Sequence, residues 1–186
     1  AGLPVPPGFT ITTAACNAFQ QAGGDFPAGL WEQTLAALKH IEHASARKLG
    51  DASDPLLVSV RSGARESMPG MMDTVLNLGL NDETVQGLAR QTNNERFAWD
   101  AYRRFVQMFG RIVLDVAGDK LDQLFDAAKK AAGATQDTDL NADHLRAVTQ
   151  QIKELVQRET GNPFPTDVLQ QLELAIKAVF SSWMGR

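Results

Sequence analysis

The residues with the most chemistry in them lie in one continuous run, Ser59-Val60-Arg61-Ser62-Gly63-Ala64-Arg65-Glu66-Ser67-Met68-Pro69-Gly70-Met71-Met72-Asp73-Thr74. A short apolar segment, Leu56-Leu57-Val58-Ser59-Val60, leads straight into it and reads as a buried strand. Arg61 then sits where that strand ends. Small residues follow, and these let backbone amides come close to a bound oxyanion. A guanidinium adds a permanently charged planar fork that suits phosphate oxygens. Spacing alone leaves an alternative open, in which Arg61 and Arg65 pair with Glu66 or Asp73 in an ordinary surface loop.

The elements that position this run differ between the two parts of the chain. Gly8 to Thr13, β-branched behind a Pro-Pro-Gly turn, reads as a strand in one sheet with Leu56 to Val60. Thr74 to Leu78 is a third candidate strand. Between the first two, Leu30 to Leu49 places Trp31, Leu35, Leu38, Ile41 and Ala44 on a helical stripe. From about residue 82 no strand is expected. Four apolar stripes follow, running from Phe97 to Val116, Leu121 to Ala128, Leu145 to Val156 and Leu169 to Trp183, and together they predict a helical bundle. The separators around Gly118, Gly133 and Gly161-Asn162-Pro163 are turn and cap chemistry.

With 186 residues, 44% hydrophobic and 22% charged, the chain can bury a sizeable core, and its composition excludes disordered, collagen-like and disulfide-rich classes. A net charge of -4 argues against a nucleic-acid coat or a polybasic membrane anchor. The single cysteine, Cys16, cannot close a disulfide within the chain, so a reducing, cytoplasmic setting is expected, with the thiol acting as a small buried hydrophobe. No stretch reaches the ~20 apolar residues that span a bilayer. The chain opens in a proline-rich loop and stops just past an apolar helix, as expected of a piece of something longer.

Other candidates carry less. Asp137 to Asp143 has oxygen donors at alternate positions, but a calcium loop would need a glycine at Ala142 and a glutamate at Val148, so Asn141 reads as a helix cap. His40 and His43 have no evident third metal ligand and read as solvated, as does His144. Arg96, Arg103, Arg104 and Arg111 recur on one helix; a solvated face is the default, a dock for an acidic surface or a rim for an anionic ligand the alternative. Met68, Met71 and Met72 read as adaptable packing.

Resemblance decides what spacing leaves open. Pro4 to Thr13, Pro55 to Asp82 (with Ser59-Val60-Arg61-Ser62-Gly63-Ala64-Arg65-Glu66-Ser67-Met68-Pro69-Gly70-Met71-Met72-Asp73-Thr74-Val75-Leu76-Asn77-Leu78) and Phe97 to Gly110 resemble the pyruvate, phosphate dikinase family. The resemblance implies an α+β fold: part of an ATP-grasp lobe with a small sheet over residues 1–81, and a mainly helical, bundle-like extension of the same domain over 82–186. It implies ATP as substrate and magnesium as cofactor, with the metal ligands outside these residues. It also implies a phosphohistidine carrier domain and a pyruvate-binding barrel as partners in a homodimeric enzyme that makes phosphoenolpyruvate, AMP and pyrophosphate, with no nucleic acid and no membrane involved. The family's glycine-lysine segment, second ATP-grasp lobe and carrier histidine have no counterpart here, so this stretch alone is expected to be inactive.

Residue by residue, the family's strand-end arginine matches Arg61, assigned to the ATP phosphates. The Gly-x-x-acidic-Thr pattern of related phosphotransferases matches Gly70, Asp73 and Thr74, with Arg65 as a further candidate contact. The rival reading is a noncatalytic helical docking or regulatory module of the same descent.

Overall fold

A computed structural model of the chain describes residues 5–63 and 74–183. Among these residues the fold is α+β, with four short strands and seven α-helices. In chain order they are α1 (Thr13–Gln21), α2 (Leu30–Ser45), β1 (Lys48–Leu49), β2 (Pro55–Leu56), β3 (Val58–Arg61), β4 (Thr74–Leu78), α3 (Thr84–Thr92), α4 (Glu95–Ile112), α5 (Gly118–Ala131), α6 (Ala142–Thr160) and α7 (Val168–Ser182). The strands form two separate pairs: β1 with β2, parallel, and β3 with β4, antiparallel.

Three expectations from the sequence are corrected. Residues 8–12 form no strand, and Thr13 already begins α1. Among the described residues no strand offers this segment a ladder, and Ala14 and Ala15 behind it favour a helix. The run from Leu56 to Val60 is divided at Leu57 between two sheets. The third concerns α2, which stops at Ser45 rather than Leu49, because Ala46 turns left-handed at φ 54°. Beyond it the Glu42 carboxylate accepts the Leu49 N–H at 3.0 Å and folds the chain back over the helix end.

The expected helical stripes form, with one unforeseen helix and one change of partner. α3 escapes the sequence pattern because its buried face is only Thr84, Val85, Gly87 and Leu88. Gly87 lets α3 lie against the preceding loop, since a Cβ there would come within 2.5 Å of the Ala52 carbonyl. α4, α5 and α6 pack together, and α3 packs on α4. α7 leaves the bundle, and its main neighbours are β3, β4 and α1. Asn94 and Asn141 cap α4 and α6 by accepting the N–H groups of Phe97 and His144, each at 2.9 Å. Asp167 caps α7, accepting from Leu169 and Gln170 at 2.8 Å.

One apolar core joins strands and helices, from Phe19 and Val75 to Phe105, Ile152 and Phe180. Phe164, in the proline-rich connection before α7, is part of it, its ring edge-on to Phe105 and Phe109 at 5.9 and 5.4 Å. The polar member that ties the core together is Gln171, fully buried on α7. Its Oε1 accepts the Gly79 N–H at 3.2 Å, and its Nε2 donates to the carbonyls of Leu80 and Pro165 at 3.0 and 2.9 Å. Gly79 has φ 106°, and a Cβ there would meet Leu49 and the Leu56 carbonyl at 2.8 Å, so only glycine fits where β4 ends.

Gln171→Leu strands three backbone groups in the core, and each unsatisfied group costs about 1–3 kcal/mol. Urea unfolding should show a loss of about 3 kcal/mol with an unchanged m-value; a loss below ~1 kcal/mol would mean that the network is dispensable. A second test concerns acid. The Asp51 carboxylate accepts from Ser53 N, Ser53 Oγ and Asp54 N at 2.7, 2.6 and 3.1 Å. These bonds, the Ser53 hydroxyl's foremost, hold its pKa down at about 2, against an ordinary 3.8. The unfolded chain therefore binds more protons in that interval, and the carboxylate's stabilisation is lost as pH falls from ~4 towards 2. In Asp51→Asn the dependence of stability on pH over this window should flatten; an unchanged slope would contradict the assignment.

Candidate functional site

The β3–β4 hairpin has two faces of opposite character. Val58 pairs with Leu78, Val60 with Val75 and Arg61 with Thr74, with a register shift between the first two pairs. Ser59 therefore faces both Leu76 and Asn77, a β-bulge, and Asn77 takes the left-handed conformation at φ 59° that such an extra residue needs. This shift lets Val75 and Leu78, three apart in sequence, both point inward with no exposed surface. Val58 and Val60 pack against the same core, which α4 and α7 complete. The opposite face is open.

On that open face stand Ser59, Arg61, Thr74 and Leu76, with Ser59, Arg61 and Leu76 exposed and Thr74 half-buried. Arg61 is the last residue of β3, and Thr74 is its partner across the ladder. The Arg61 Nε donates to the Ser59 Oγ at 3.3 Å, its one hydrogen bond among the described residues. No carboxylate among those residues forms an ion pair with it. A guanidinium, two hydroxyls and the exposed Leu76 thus share one accessible surface. That set can donate to oxyanions and lay an apolar edge beside a flat ligand.

Of the site residues expected from the sequence, the fold brings together Arg61 and Thr74. Arg65, Gly70 and Asp73, with Glu66 and the three methionines of that segment, lie outside the described residues. The hairpin's foundation was not evident beforehand. Besides Gln171, the Thr84 hydroxyl donates to the Gly79 carbonyl at 2.8 Å, and the Asn81 N–H donates to Thr84 Oγ1 at 2.8 Å. Asn81 Oδ1 accepts from Glu83 N and Thr84 N at 3.0 and 2.9 Å, and its Nδ2 donates to the Thr166 carbonyl at 3.1 Å. The Asn-x-x-Thr spacing at 81–84 was the available signal, as a capping pattern ahead of α3.

The arginines of α4 correct the expectation of a solvated face. Arg103 is buried, with its Nη2 2.6 Å from Asp100 Oδ1, its Nη1 donating to Gln107 at 3.1 Å and its guanidinium 4.1 Å from the centre of the Phe125 ring. Its flat face packs on the ring while its two terminal nitrogens keep polar partners, and its Nε is buried without one among the described residues. Arg96 donates to the carbonyls of Leu140 and Asp137, each at 2.8 Å, fixing the turn before α6. Arg104 joins Asp100 at 3.0 Å on the surface. Asp137 pairs with Lys129 at 3.3 Å, and Asp139 accepts from Thr135 and Gln136 at 2.8 to 2.9 Å, so these oxygens hold a turn together. Cys16 is buried, and burial pushes its thiol pKa up. His40, His43 and His144 are exposed.

Residues 24–186 match the family model described as "Pyruvate phosphate dikinase, AMP/ATP-binding domain". The chain belongs to this family. It is 51% identical over 182 residues to pyruvate, phosphate dikinase 1, chloroplastic, of Oryza sativa subsp. japonica, covering 98% of this chain and 19% of the relative. It is 50% identical to the pyruvate, phosphate dikinases of Rhizobium meliloti (strain 1021), over 184 residues, and Entamoeba histolytica (strain ATCC 30459 / HM-1:IMSS / ABRM), over 185 residues. Those matches cover 99% and 100% of this chain and 20% and 21% of the relatives. The chain thus spans about a fifth of the length of the curated relatives it matches. None of the helices among the described residues is long and apolar enough to cross a membrane.

The two faces of the hairpin should respond differently to truncation. Leu78→Ala on the covered face is expected to cost about 2–5 kcal/mol, whereas Arg61→Ala on the open face should leave thermal unfolding unchanged within ~1 °C, since surface substitutions move stability little. A large stability loss from Arg61→Ala would show that its side chain serves the fold.

Proposed function

We propose that this chain forms the opening part of an ATP-grasp nucleotide-binding lobe in a pyruvate, phosphate dikinase, and that Arg61 binds the ATP phosphates. The observation that carries this reading is the pairing of Arg61 with Thr74 on the open face of a hairpin whose other face is fixed in the core. The family membership supports the nucleotide, and the relatives' name supports the reaction. In that reaction phosphoryl groups pass from ATP through a phosphohistidine to pyruvate and phosphate, giving phosphoenolpyruvate, AMP and pyrophosphate. On this reading the histidine carrier and the pyruvate-binding barrel belong to other domains of a homodimeric, cytoplasmic enzyme, and residues 1–186 alone are inactive.

The part played by this chain's own residues is electrostatic. Phosphoryl transfer concentrates charge on the transferred oxygens, and a cation held in place beforehand stabilises it without reorganisation. Arg61 is such a cation, because the ladder fixes its backbone while its guanidinium stays accessible. Thr74 adds a hydroxyl on the same face, and Gly70, Asp73 and Arg65 are proposed as further nucleotide contacts from the connecting segment. Ser59, Arg61 and Thr74 offer hydroxyls and a guanidinium but no carboxylate, which suits phosphate oxygens rather than a divalent cation. Magnesium supplies further charge neutralisation when bound, and its protein ligands are assigned to carboxylates outside this chain.

In a full-length pyruvate, phosphate dikinase carrying this domain, Arg61→Ala should lower kcat/KM for ATP about 10- to 100-fold, the value of one or two charge-assisted hydrogen bonds. Arg61→Lys should recover only part of it, since an ammonium lacks the fork. Unchanged ATP kinetics in Arg61→Ala would favour a docking role for the chain instead.

A further inference from the structure

The hairpin is anchored at the end opposite Arg61. Leu78, at the close of β4, pairs with the first residue of β3, and Asp82 follows four residues later. Asp82 is largely exposed, yet two helices reach for it. Lys153 of α6 places its Nζ 3.0 and 2.8 Å from the two carboxylate oxygens, and Tyr102 of α4 donates its hydroxyl to Oδ1 at 3.1 Å. Lys153 is itself mostly covered, with 14% of its side chain exposed, and its ammonium lies 5.9 Å from the centre of the Tyr102 ring. The Tyr102 ring is fully buried, and burial, reinforced by the Asp82 charge, raises the phenol's pKa well above its ordinary value. Tyr102 therefore stays a hydrogen-bond donor to Asp82 throughout the neutral range.

We propose that Lys153 and Asp82 form a positioning pair that sets the direction of the hairpin, and with it the placement of Arg61. The inference rests on the nucleotide reading of Arg61. Among the described residues Lys153 has no hydrogen bond or ion pair with the open face and acts through Asp82. A five-residue strand extends roughly 17 Å at ~3.3 Å per residue. Over that lever a tilt of about 4° at the base moves the tip by roughly 1 Å, and a misplacement of that size can reduce a rate ~100-fold. Gln171 and Asn81 fix the joint through the backbone between Gly79 and Thr84. The Lys153–Asp82 pair adds the one ionic link from α6 to this joint among the described residues, and its effect on overall stability should be small because Asp82 is solvated.

The test uses a full-length pyruvate, phosphate dikinase carrying this domain, with ATP kinetics and thermal unfolding measured on the same preparations. Lys153→Met, which keeps length and loses charge, should lower kcat/KM for ATP about 5- to 20-fold while shifting Tm by less than ~3 °C. Lys153→Arg should restore the kinetics to within about twofold, and the exchange Asp82→Lys with Lys153→Asp should recover more activity than either single change. Lys153→Met should also cost less in an Arg61→Ala background, because both act on one guanidinium. The pair is structural only, and the proposal is overturned, if the kinetic loss follows Tm across the variants, or if Lys153→Met and Arg61→Ala multiply independently. Normal kinetics in Lys153→Met with a strong Arg61→Ala defect overturn the positioning role and leave the nucleotide site standing. Normal kinetics in Arg61→Ala overturn both.

Discussion

The side-chain amide of Gln171 is the constraint on which the rest of the architecture depends. Fully buried on α7, it satisfies the Gly79 N–H and the carbonyls of Leu80 and Pro165, three backbone groups with no ladder or helix partner at the point where strand becomes loop. A buried polar network is worth having only when every member is paired, and here the amide's donor and acceptor ends are both used. Because Pro165 stands before α7 and Gly79 after β4, the amide brings together the two ends of the long excursion through α3 to α6. Gly79 must be glycine for the same reason, since its backbone passes too close to Leu49 and Leu56 to carry a side chain.

Anchoring at the base frees the rest of the hairpin to divide its labour. Inward residues Val58, Val60, Val75 and Leu78 belong to the core, and the bulge at Asn77 keeps the last two on one side. Outward residues face solvent and carry the polar chemistry. Where a cation was needed inside, the fold stacked it on a ring, as with Arg103 over Phe125. Where it is to serve a ligand, as proposed for Arg61, it stands at a strand end with its charge unspent on any described carboxylate. The same residue type thus serves packing on α4 and, on the proposed reading, recognition on β3, and what separates the two positions is burial.

The sequence makes the long elements readable because their apolar stripes repeat over several turns: α2, α4, α6 and α7 follow from Leu38, Phe105, Ile152 and Ile176 and their neighbours. Asn141 as a cap and Thr74 to Leu78 as a strand follow from local chemistry, and both are found where expected. What misleads is non-local. Gly8 to Thr13 has strand-like composition, but among the described residues no strand pairs with it, and β propensity without a partner produces no strand. Gln171 is a polar residue beside the apolar stripe of α7, and nothing near it in sequence announces that Gly79 awaits it. Arg103 was similarly hidden, since Phe125 lies on another helix. Of the candidate site, Arg61 and Thr74 were legible from the strand on either side, whereas their sharing of one face follows from the ladder register that pairs them, which the sequence alone does not show.

The central claim is that the Arg61 guanidinium meets the nucleotide's phosphates on the open face of the β3–β4 hairpin. A crystal structure of a full-length pyruvate, phosphate dikinase carrying this domain, soaked with a non-hydrolysable ATP analogue, reads that placement directly. The expected result is Arg61 donating to phosphate oxygens at roughly 2.7–2.9 Å, with Thr74 beside it. A guanidinium closed onto a protein carboxylate, with the nucleotide bound elsewhere, would contradict it.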